Sequence, residues 1–396
     1  MVRLGILTTH PIQYHAPWFR HLGKRHDLTV YYAHRQDAEG QSKAGFGVEF
    51  EWDVPLLDGY HYEWLTNVSN KAGISTFAGC DTPEIGNHIA SNKFDAFLVS
   101  GWNKKCYWQA MKACKRSRTP IFCRGDSQLL TPRPSFQTTL KYIPYRLLLP
   151  RFDVHLFVGE RNREYLRHYG VPDSKLVFAP HFVDNDFFRR RAAEARESGE
   201  AERVRAECGI PKGAFVLLYV GKFIAKKRVA DILDATIQIL RDGHSIHLLL
   251  VGDGPLRLEL EHCSRSWRSN IHFEGFVNQN EISTYYAASS AIVLASDGEE
   301  TWGLSVNEAM ACGLPAIVSD AVGCGPDLVD KSATGLTFPV GNTEALSRQF
   351  VKLVRLCEDS PERIRNSLRA KSEHYSMERA SNGLRRALER AAGDTP

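Results

Sequence analysis

Glu300 and Glu308 are two carboxylates with seven residues between them, and Gly303 lies in that interval. Glycine permits a tight turn and lets a ligand approach the backbone closely. A helix that begins near Leu304 or Ser305 would present its first, unpaired amides to an anion. The spacing therefore predicts a loop carboxylate, an anion site at a helix N-terminus and a second carboxylate one turn into the helix.

The distance between these two carboxylates restricts the reactions that they could catalyse together. On a continuous helix they would lie roughly 12 Å apart. The paired carboxylates of a glycosidase stand about 5 to 10 Å apart, so such a pair is not favoured here. The spacing suits a long ligand that has hydroxyls at both ends and an anion in the middle. A nucleotide sugar has this form.

The flanking residues predict the elements that hold this stretch. Cys312-Gly313-Leu314-Pro315 reads as a helix C-terminus, since glycine and then proline follow the apolar run. Apolar runs at 291–295 and 315–319 read as short buried strands. The order strand, polar loop, helix, strand indicates a parallel sheet.

The stretch from Glu300 to Pro315 resembles the E-x7-E motif of the family-four retaining glycosyltransferases, of the "glycosyl transferases group one" type. The resemblance covers most of the chain and is strongest over 216–329. It implies a GT-B fold, in which two Rossmann-like doubly wound α/β domains face each other across a cleft. It also implies that Glu300 contacts hydroxyls of the donor sugar, Glu308 the ribose, and the amides of Gly303 and Leu304 the diphosphate.

Lys222 and Lys227 follow the first predicted strand of the second domain and are five positions apart. Ligands of open α/β sheets bind at the carboxyl ends of the strands, where cations can neutralise a leaving diphosphate. The resembled motif has a basic residue and a lysine at this spacing, so Lys222 and Lys227 join Glu300 as predicted catalytic residues. Arg228 stands where the family often has glycine.

Other strand ends supply weaker donor-site candidates. Gly252 and Gly254 suit a backbone that passes close to a ligand, although a plain turn would need them equally. Phe276 and Val277 would offer backbone groups to the base, or simply end a strand. Asp184-Asn185-Asp186 fits a D-x-D metal signature but reads as a turn, and no metal is predicted.

The acceptor-side candidates lie in the first half of the chain. The loop after the first strand carries polar side chains that could contact a substrate, or could cap and pack a helix. Asp126 could orient an acceptor hydroxyl or form a salt bridge with Arg124. Several relatives place a catalytic-site histidine within 100–103, and this chain has none there. The full set of candidates is His10, Gln13, His15, Trp102, Arg124 and Asp126.

A chain of 396 residues is long enough for two cores. Strand and helix patterns predict an acceptor-side domain over 1–185, a linker over 186–212 that is charged, lacks a core face and holds one short helix, and a donor-binding domain over 213–375. By resemblance, a C-terminal helix over about 376–396 packs back on the first domain. Residues 34–82 have a poor pattern and predict loops and short strands.

Composition favours a soluble globular protein, with 43% hydrophobic and 24% charged residues. No apolar run approaches the 18 or so residues of a membrane span, and the N-terminus reads as a strand rather than a signal peptide. The nine cysteines form no C-x-x-C pair, which fits reduced thiols and argues against a zinc site. A cytoplasmic location is therefore expected.

Charge is unevenly distributed along the chain. The net charge is +4, but residues 101–151 hold eleven basic residues and one acid. Such a patch suits an anionic membrane surface, an anionic acceptor or nucleic acid, or is a solvated face. The run Lys141–Arg151 mixes cations with aromatic and aliphatic groups, as interfacial segments do. Pro144 limits this run to a short or broken helix, and Leu147–Leu149 could equally be core. Docking on the inner face of an anionic membrane is one interpretation of this patch, and a solvated basic face is the more usual one; no nucleic acid is predicted.

Together these features predict a retaining hexosyltransferase. It would use a UDP- or GDP-linked sugar as donor, no cofactor, and a glycan or lipid-linked acceptor hydroxyl, in bacterial-type polysaccharide or glycolipid synthesis. Three alternatives stay open: a nucleotide-sugar epimerase of GT-B fold, a phosphorylase, and a non-enzymic binder of anionic polymer. An epimerase would need no acceptor, a phosphorylase usually needs a pyridoxal-binding lysine and a longer chain, and a polymer binder would not depend on nucleotide.

Overall fold

The computed structural model describes residues 1–36, 48–330 and 333–393. Part of the poorly patterned stretch 34–82, namely 37–47, lies outside the described residues, as does the end of the predicted C-terminal helix, 394–396. Two β-sheets organise the described chain.

The first sheet contains seven strands in the part of the chain that the structure describes, and every neighbouring pair is parallel. Their order is β3-β2-β1-β4-β5-β6-β7. Central strands such as β4 are buried at every position, which explains their continuous apolar sequences. The strands are β1 Arg3–Thr8, β2 Asp27–Tyr32, β3 His61–Trp64, β4 Ala96–Val99, β5 Ile121–Gly125, β6 Val154–Phe157 and β7 Leu176–Phe178.

The second sheet repeats this plan with six parallel strands in the described ranges, in the order β10-β9-β8-β11-β12-β13. The predicted strands are present, with ends that differ by one or two residues. The strands are β8 Phe215–Val220, β9 Ile246–Val251, β10 Ile271–Glu274, β11 Ala291–Leu294, β12 Ala316–Ser319 and β13 Gly335–Phe338. The predicted α/β class with two doubly wound sheets is confirmed.

Helices connect successive strands. No described helix is long and apolar enough to cross a membrane. The helices of the first half are α1 Ala16–Gly23, α2 Ile85–Asn92, α3 Lys105–Ser117, α4 Ser135–Leu148 and α5 Glu160–His168. Those that follow are α6 Asn185–Glu197, α7 Glu200–Glu207, α8 Val229–Arg241, α9 Arg257–Cys263, α10 Ile282–Ala287, α11 Leu304–Ala311, α12 Gly325–Leu328, α13 Thr343–Asp359, α14 Pro361–His374 and α15 Met377–Gly393.

Strand order sets the place of the ligand site. In each sheet the strand order reverses beside the first strand, between β1 and β4 and between β8 and β11. Open α/β sheets bind ligands at this switch point, beyond the carboxyl ends of the strands. The loops after these four strands carry most of the residues that the sequence singled out.

The charged stretch 186–212 has a face that packs in the core, although the sequence analysis predicted none. It forms α6 and α7 rather than a linker with one short helix. Phe188, Ala192 and Ala195 are buried and spaced along one stripe of α6, and Phe188 and Ala192 pack with the core of the second sheet. The stripe was missed because small alanines carry it between arginines and glutamates.

The C-terminal helix α15 packs against the first sheet rather than the second. Its buried residues Ala380, Leu384 and Ala387 share a hydrophobic cluster with Trp18 and Phe182. The indole Nε1 of Trp18 donates a hydrogen bond of 3.0 Å to Ser381 Oγ. The last helix therefore joins the end of the chain to the half in which the chain begins.

Candidate active site

A cleft between the two sheets brings the predicted residues together. Its volume is about 690 Å³, within the range of small-molecule sites. Loops after β1, β4 and β5 line it from the first sheet, and loops after β8, β9, β10 and β11 line it from the second. The predicted residues in the lining are Gln13, His15, Arg124, Asp126, Lys222, Lys227, Gly252, Phe276, Val277, Glu300, Gly303, Leu304 and Glu308.

Glu300 is partly buried in the loop after β11 and forms an ion pair with Lys227. The hydroxyl of Ser296 lies 3.4 Å from the same carboxylate oxygen. The Asp297 amide also donates a 3.0 Å hydrogen bond to the carbonyl of Lys226, so the two loops are joined through their backbones. Lys227 therefore holds the Glu300 carboxylate toward the loop after β8.

Lys222 lies on the same loop and lines the cleft. Burial, together with the nearby charges of Lys227 and Lys226, lowers the pKa of its ammonium group to about 8. A cluster of cations at the strand end favours an anionic ligand, because an anion would relieve their mutual repulsion.

The backbone conformation and the contacts of Arg228 explain how an arginine fits where the resembled family often has glycine. Its φ angle is +51°, in the left-handed region that glycine adopts at little cost. Its Nε lies 2.6 Å from the Asp231 carboxylate, which accepts a hydrogen bond from it. The extra charge is therefore used within the first turn of α8.

Gly303 marks the start of α11, as predicted, and has a φ angle of +103°. A Cβ at this position would lie 2.8 Å from a methyl carbon of Leu294, so a larger residue is excluded by space as well as by conformation. The helix ends at Cys312 and Gly313, as the sequence indicated. The N-terminal amides of α11 open toward the cleft beside Glu300.

Glu308 lies in α11, and its side chain is buried. Its two carboxylate oxygens accept hydrogen bonds from Tyr14 Oη at 2.8 Å and from Tyr286 Oη at 2.6 Å. Burial raises the pKa of Glu308 to about 7, although these two hydrogen bonds act in the opposite direction. Tyr14 follows β1 and Tyr286 belongs to α10, so the two halves of the chain meet on this carboxylate.

Asp126, one of the residues predicted for the acceptor side, lines the cleft from the first sheet. Its carboxylate accepts a 2.7 Å hydrogen bond from Thr301 Oγ1, across the cleft, and lies 3.7 Å from His181 Nε2. Burial raises the pKa of Asp126, but His181 and Thr301 outweigh it and hold the pKa at about 2. Burial lowers the pKa of His15 to about 3, which keeps this imidazole neutral near physiological pH.

Three predicted residues lie outside the cleft lining. Trp102 is buried and stacks on Tyr165 at 5.8 Å between ring centroids, so it packs the core. His10 is hydrogen-bonded to Thr9 Oγ1 through Nδ1 at 2.9 Å. Gly254 is required by protein backbone rather than by ligand, since a Cβ there would lie 2.7 Å from the Phe223 carbonyl.

Sequence reasoning also missed several residues of the cleft. Tyr14 and Tyr286 gave no signal, because only the fold brings them to Glu308. His181 lies three residues after β7, and its position beyond a strand end was the one signal for it. Gln128, two residues after Asp126, donates to main-chain carbonyls of the Glu300 loop. Tyr14 and Gln128 are separated from these partners by more than 150 residues in sequence, and local patterns carry no information about such contacts.

Comparison with known proteins agrees with this geometry. Residues 200–371 match the family model described as "Glycosyl transferases group 1". The chain is 29% identical over 205 residues to an N-acetyl-alpha-D-glucosaminyl L-malate synthase of Bacillus anthracis, which covers 50% of each chain. It is 32% identical over 148 residues to a GDP-mannose-dependent alpha-(1-6)-phosphatidylinositol dimannoside mannosyltransferase of Mycobacterium tuberculosis, covering 37% of this chain and 36% of that protein.

The match to these curated relatives thus spans about half of their length or less. Among solved structures, Anabaena Alr3699/HepE in complex with UDP and glucose superposes with a TM-score of 0.67 at 15% identity, covering 98% of this chain and 100% of that one. This likeness confirms the GT-B fold that the resemblance implied. Over residues 200–371, the chain is similar to the group 1 glycosyl transferases.

Proposed function

We propose that this protein transfers a hexose from a UDP- or GDP-linked sugar to an acceptor hydroxyl, with retention of the anomeric configuration. The observation that carries the proposal is the meeting of Lys222, Lys227, Glu300 and Glu308 with the N-terminus of α11 in one cleft. Cations and helix amides suit a diphosphate, and the two carboxylates suit hydroxyls on either side of it.

The names of similar proteins support this donor class. The Anabaena structure contains UDP and glucose, and the Mycobacterium relative is described as GDP-mannose-dependent. We assign Glu308 to the ribose, the amides of Gly303 and Leu304 to the diphosphate, and Glu300 to hydroxyls of the sugar. Phe276 and Val277 line the same cleft and would contact the base.

In the proposed reaction the bond between the anomeric carbon and the diphosphate oxygen breaks, and the acceptor oxygen bonds to that carbon from the same face. The acceptor proton passes to the departing diphosphate, so no protein nucleophile is needed. Lys222 and Lys227 stabilise the negative charge that develops on the leaving group. We propose that these two cations suffice and that no metal takes part.

We further propose that transfer takes place on the inner face of an anionic membrane, with a glycan or lipid-linked acceptor. Four large apolar side chains of α4 lie on one face and are exposed, namely Phe136 63%, Leu140 69%, Ile143 66% and Leu147 61%. Arg133, Lys141 and Arg146 accompany them, and residues 127–152 contain no acid. An apolar stripe with flanking cations fits an anionic lipid surface.

The sequence had left this helix undecided. Pro144 lies inside α4 without ending it, so the helix is longer than the proline suggested. Leu148 and Leu149 are buried in the core, whereas Leu147 faces solvent. The stripe therefore differs from a core face, and the part of the chain that the structure describes does not cover it.

The remaining candidates are separated by acceptor dependence. An epimerase of this fold would convert the donor without acceptor, and a binder of anionic polymer would ignore nucleotides. The hydrogen bonds from Tyr14 and Tyr286 to Glu308 support neither the epimerase nor the polymer binder. The test is therefore product analysis with and without acceptor, after the donor has been identified.

Identification of the donor is the first prediction. A panel of UDP- and GDP-sugars is expected to contain a ligand that raises the melting temperature, since binding at 100 times Kd adds about 2.7 kcal/mol of stability. Thermal unfolding by fluorescence measures it. A panel in which no nucleotide sugar raises the melting temperature, while an anionic polymer does, would contradict the transferase and favour the binder.

The second prediction concerns the lysines. Lys222→Ala and Lys227→Ala should each lower kcat by about a hundredfold or more, because each removes a charge that stabilises the leaving group. Steady-state kinetics with the identified donor measures this. Lys212→Ala, an exposed lysine outside the cleft, is the control and should leave kcat unchanged. Loss of activity in EDTA, restored by Mg²⁺ or Mn²⁺, would refute the metal-free mechanism.

The third prediction follows from the Glu308 pKa of about 7. Ribose hydroxyls donate to the ionised carboxylate, so affinity for a nucleotide sugar should rise roughly eightfold between pH 6 and 7.5, as the ionised fraction of Glu308 does. The free energy of unfolding depends on pH in the opposite direction. Because the carboxyl pKa is raised in the folded protein, its contribution to stability is lost as pH rises from about 4.5 toward 7. Calorimetric titration at several pH values measures the affinity of the wild type and of the control variant Glu308→Gln. The affinity of Glu308→Gln should not change with pH. A wild-type profile equally flat would exclude the ribose role.

The fourth prediction concerns α4. Leu140→Asp should abolish co-sedimentation with vesicles of phosphatidylglycerol and phosphatidylcholine, since it places a charge in the apolar stripe. Thr138→Asp adds the same charge on the opposite face of the exposed helix and is the matched control. Wild-type binding should require the anionic lipid and weaken with salt. Equal failure of wild type on anionic and neutral vesicles would remove the membrane from the proposal.

A further inference from the structure

Gln128 connects the first sheet to the loop that carries Glu300. It lies between β5 and α4 and is 2% exposed. Its side-chain nitrogen Nε2 lies 3.0 Å from the carbonyl oxygen of Gly298, 2.9 Å from that of Glu300 and 3.1 Å from that of Ala321. An amide group has two N–H donors, so three carbonyls of the second sheet's loops share them.

The orientation of this amide is fixed by a second residue. Arg161 Nη1 donates to Gln128 Oε1 at 3.2 Å, so the nitrogen of the amide must face the carbonyls. Arg161 also donates to the carbonyls of Asp320 and Ala321. Asn162 Nδ2 in turn donates to the carbonyl of Ser127 at 3.0 Å, which secures the backbone that carries Gln128.

The same stretch of the Glu300 loop is held on both sides of this amide. A Cβ at Gly298 would lie 2.0 Å from the Leu130 carbonyl, so the two backbones are in close contact. Thr301 donates to Asp126 at 2.7 Å. The Glu300 carbonyl accepts a further hydrogen bond from the Gly323 amide at 3.0 Å. Residues 298–301 are thus attached to the first sheet at both ends and in the middle.

We propose that Gln128 is a positioning residue for sugar transfer. Its side chain sets the Glu300 loop, and with it the Glu300 carboxylate, against the acceptor side of the cleft. The inference rests on the proposed function for its kinetic part only. The residue type follows from the partners: three carbonyl oxygens require a donor, and a neutral amide supplies it beside Arg161 without adding charge. An ionised carboxylate there would repel the same three oxygens.

Two variants of similar size separate positioning from packing. Gln128→Met keeps the volume and removes both donors. Gln128→Glu keeps the shape and can donate only when its new carboxyl is protonated. The matched control is Gln109→Met, since the Gln109 side chain bonds to Asp81 and to the Thr82 amide, away from the cleft lining.

The kinetic experiment measures kcat and donor Kd for each folded variant. Gln128→Met should lower kcat at least tenfold while donor Kd stays within about threefold, because Glu300 moves but Lys222 and Glu308 do not. The Gln109→Met variant should keep kcat within about twofold. The kcat of Gln128→Glu relative to wild type should rise as pH falls. A kcat unchanged per folded molecule, or a Kd that weakens in proportion to kcat, would overturn the positioning role.

A second readout does not depend on activity. Hydrogen exchange at the amides of Gly323 and Cys324, which bond to the carbonyls of Glu300 and Trp302, reports the attachment of this loop. Exchange should be at least tenfold faster in Gln128→Met and unchanged in Gln109→Met. If wild type transfers no sugar to any acceptor, the proposed function fails and this comparison alone decides on Gln128. Equal exchange in wild type and Gln128→Met would refute it.

Discussion

The loop that carries Glu300 is bound from both halves of the chain, and the rest of the cleft depends on this. Lys227 of the second sheet pairs with its carboxylate, and Gln128 of the first sheet bonds to its main-chain carbonyl. These partners meet because the strand order of both sheets reverses beside the first strand, and the carboxyl ends of the strands at that point face one cleft. A change in the relative position of the sheets would therefore change the site itself.

The two carboxylates of the motif have different surroundings, which suits different tasks. Glu300 forms an ion pair with Lys227. Glu308 is buried and hydrogen-bonded by two tyrosine hydroxyls, and its pKa lies near 7. A ribose would approach Glu308 where Tyr14 now donates. Because Tyr14 comes from the first half of the chain, occupation of this carboxylate links ligand binding to contact between the halves.

The sequence could predict what is encoded locally. Apolar runs bounded by glycine and proline predicted the strands and the limits of α11. The spacing of Glu300 and Glu308, and of Lys222 and Lys227, singled out four residues that line one cleft. These features repeat within about thirty residues or match a motif. The sequence could not give contacts between distant segments, such as Gln128 with Glu300, because no local pattern records which loop a side chain will face.

Errors in the prediction have equally definite causes. Trp102 follows a strand end, which suggested a ligand contact, but its ring packs on Tyr165 in the core. The segment 186–212 was read as a linker because charges hide a stripe of small apolar residues on α6. The exposed face of α4 was left open because Pro144 argued against a helix that in fact continues through it.

The most direct test of the account is a crystal structure of the full chain with the nucleotide sugar that stabilises it. The account predicts the diphosphate against the amides of Gly303 and Leu304 and near Lys222 and Lys227, the ribose on Glu308, and the sugar beside Glu300. A nucleotide bound outside this cleft, or in it with the ribose away from Glu308 and the diphosphate away from both lysines, would contradict it.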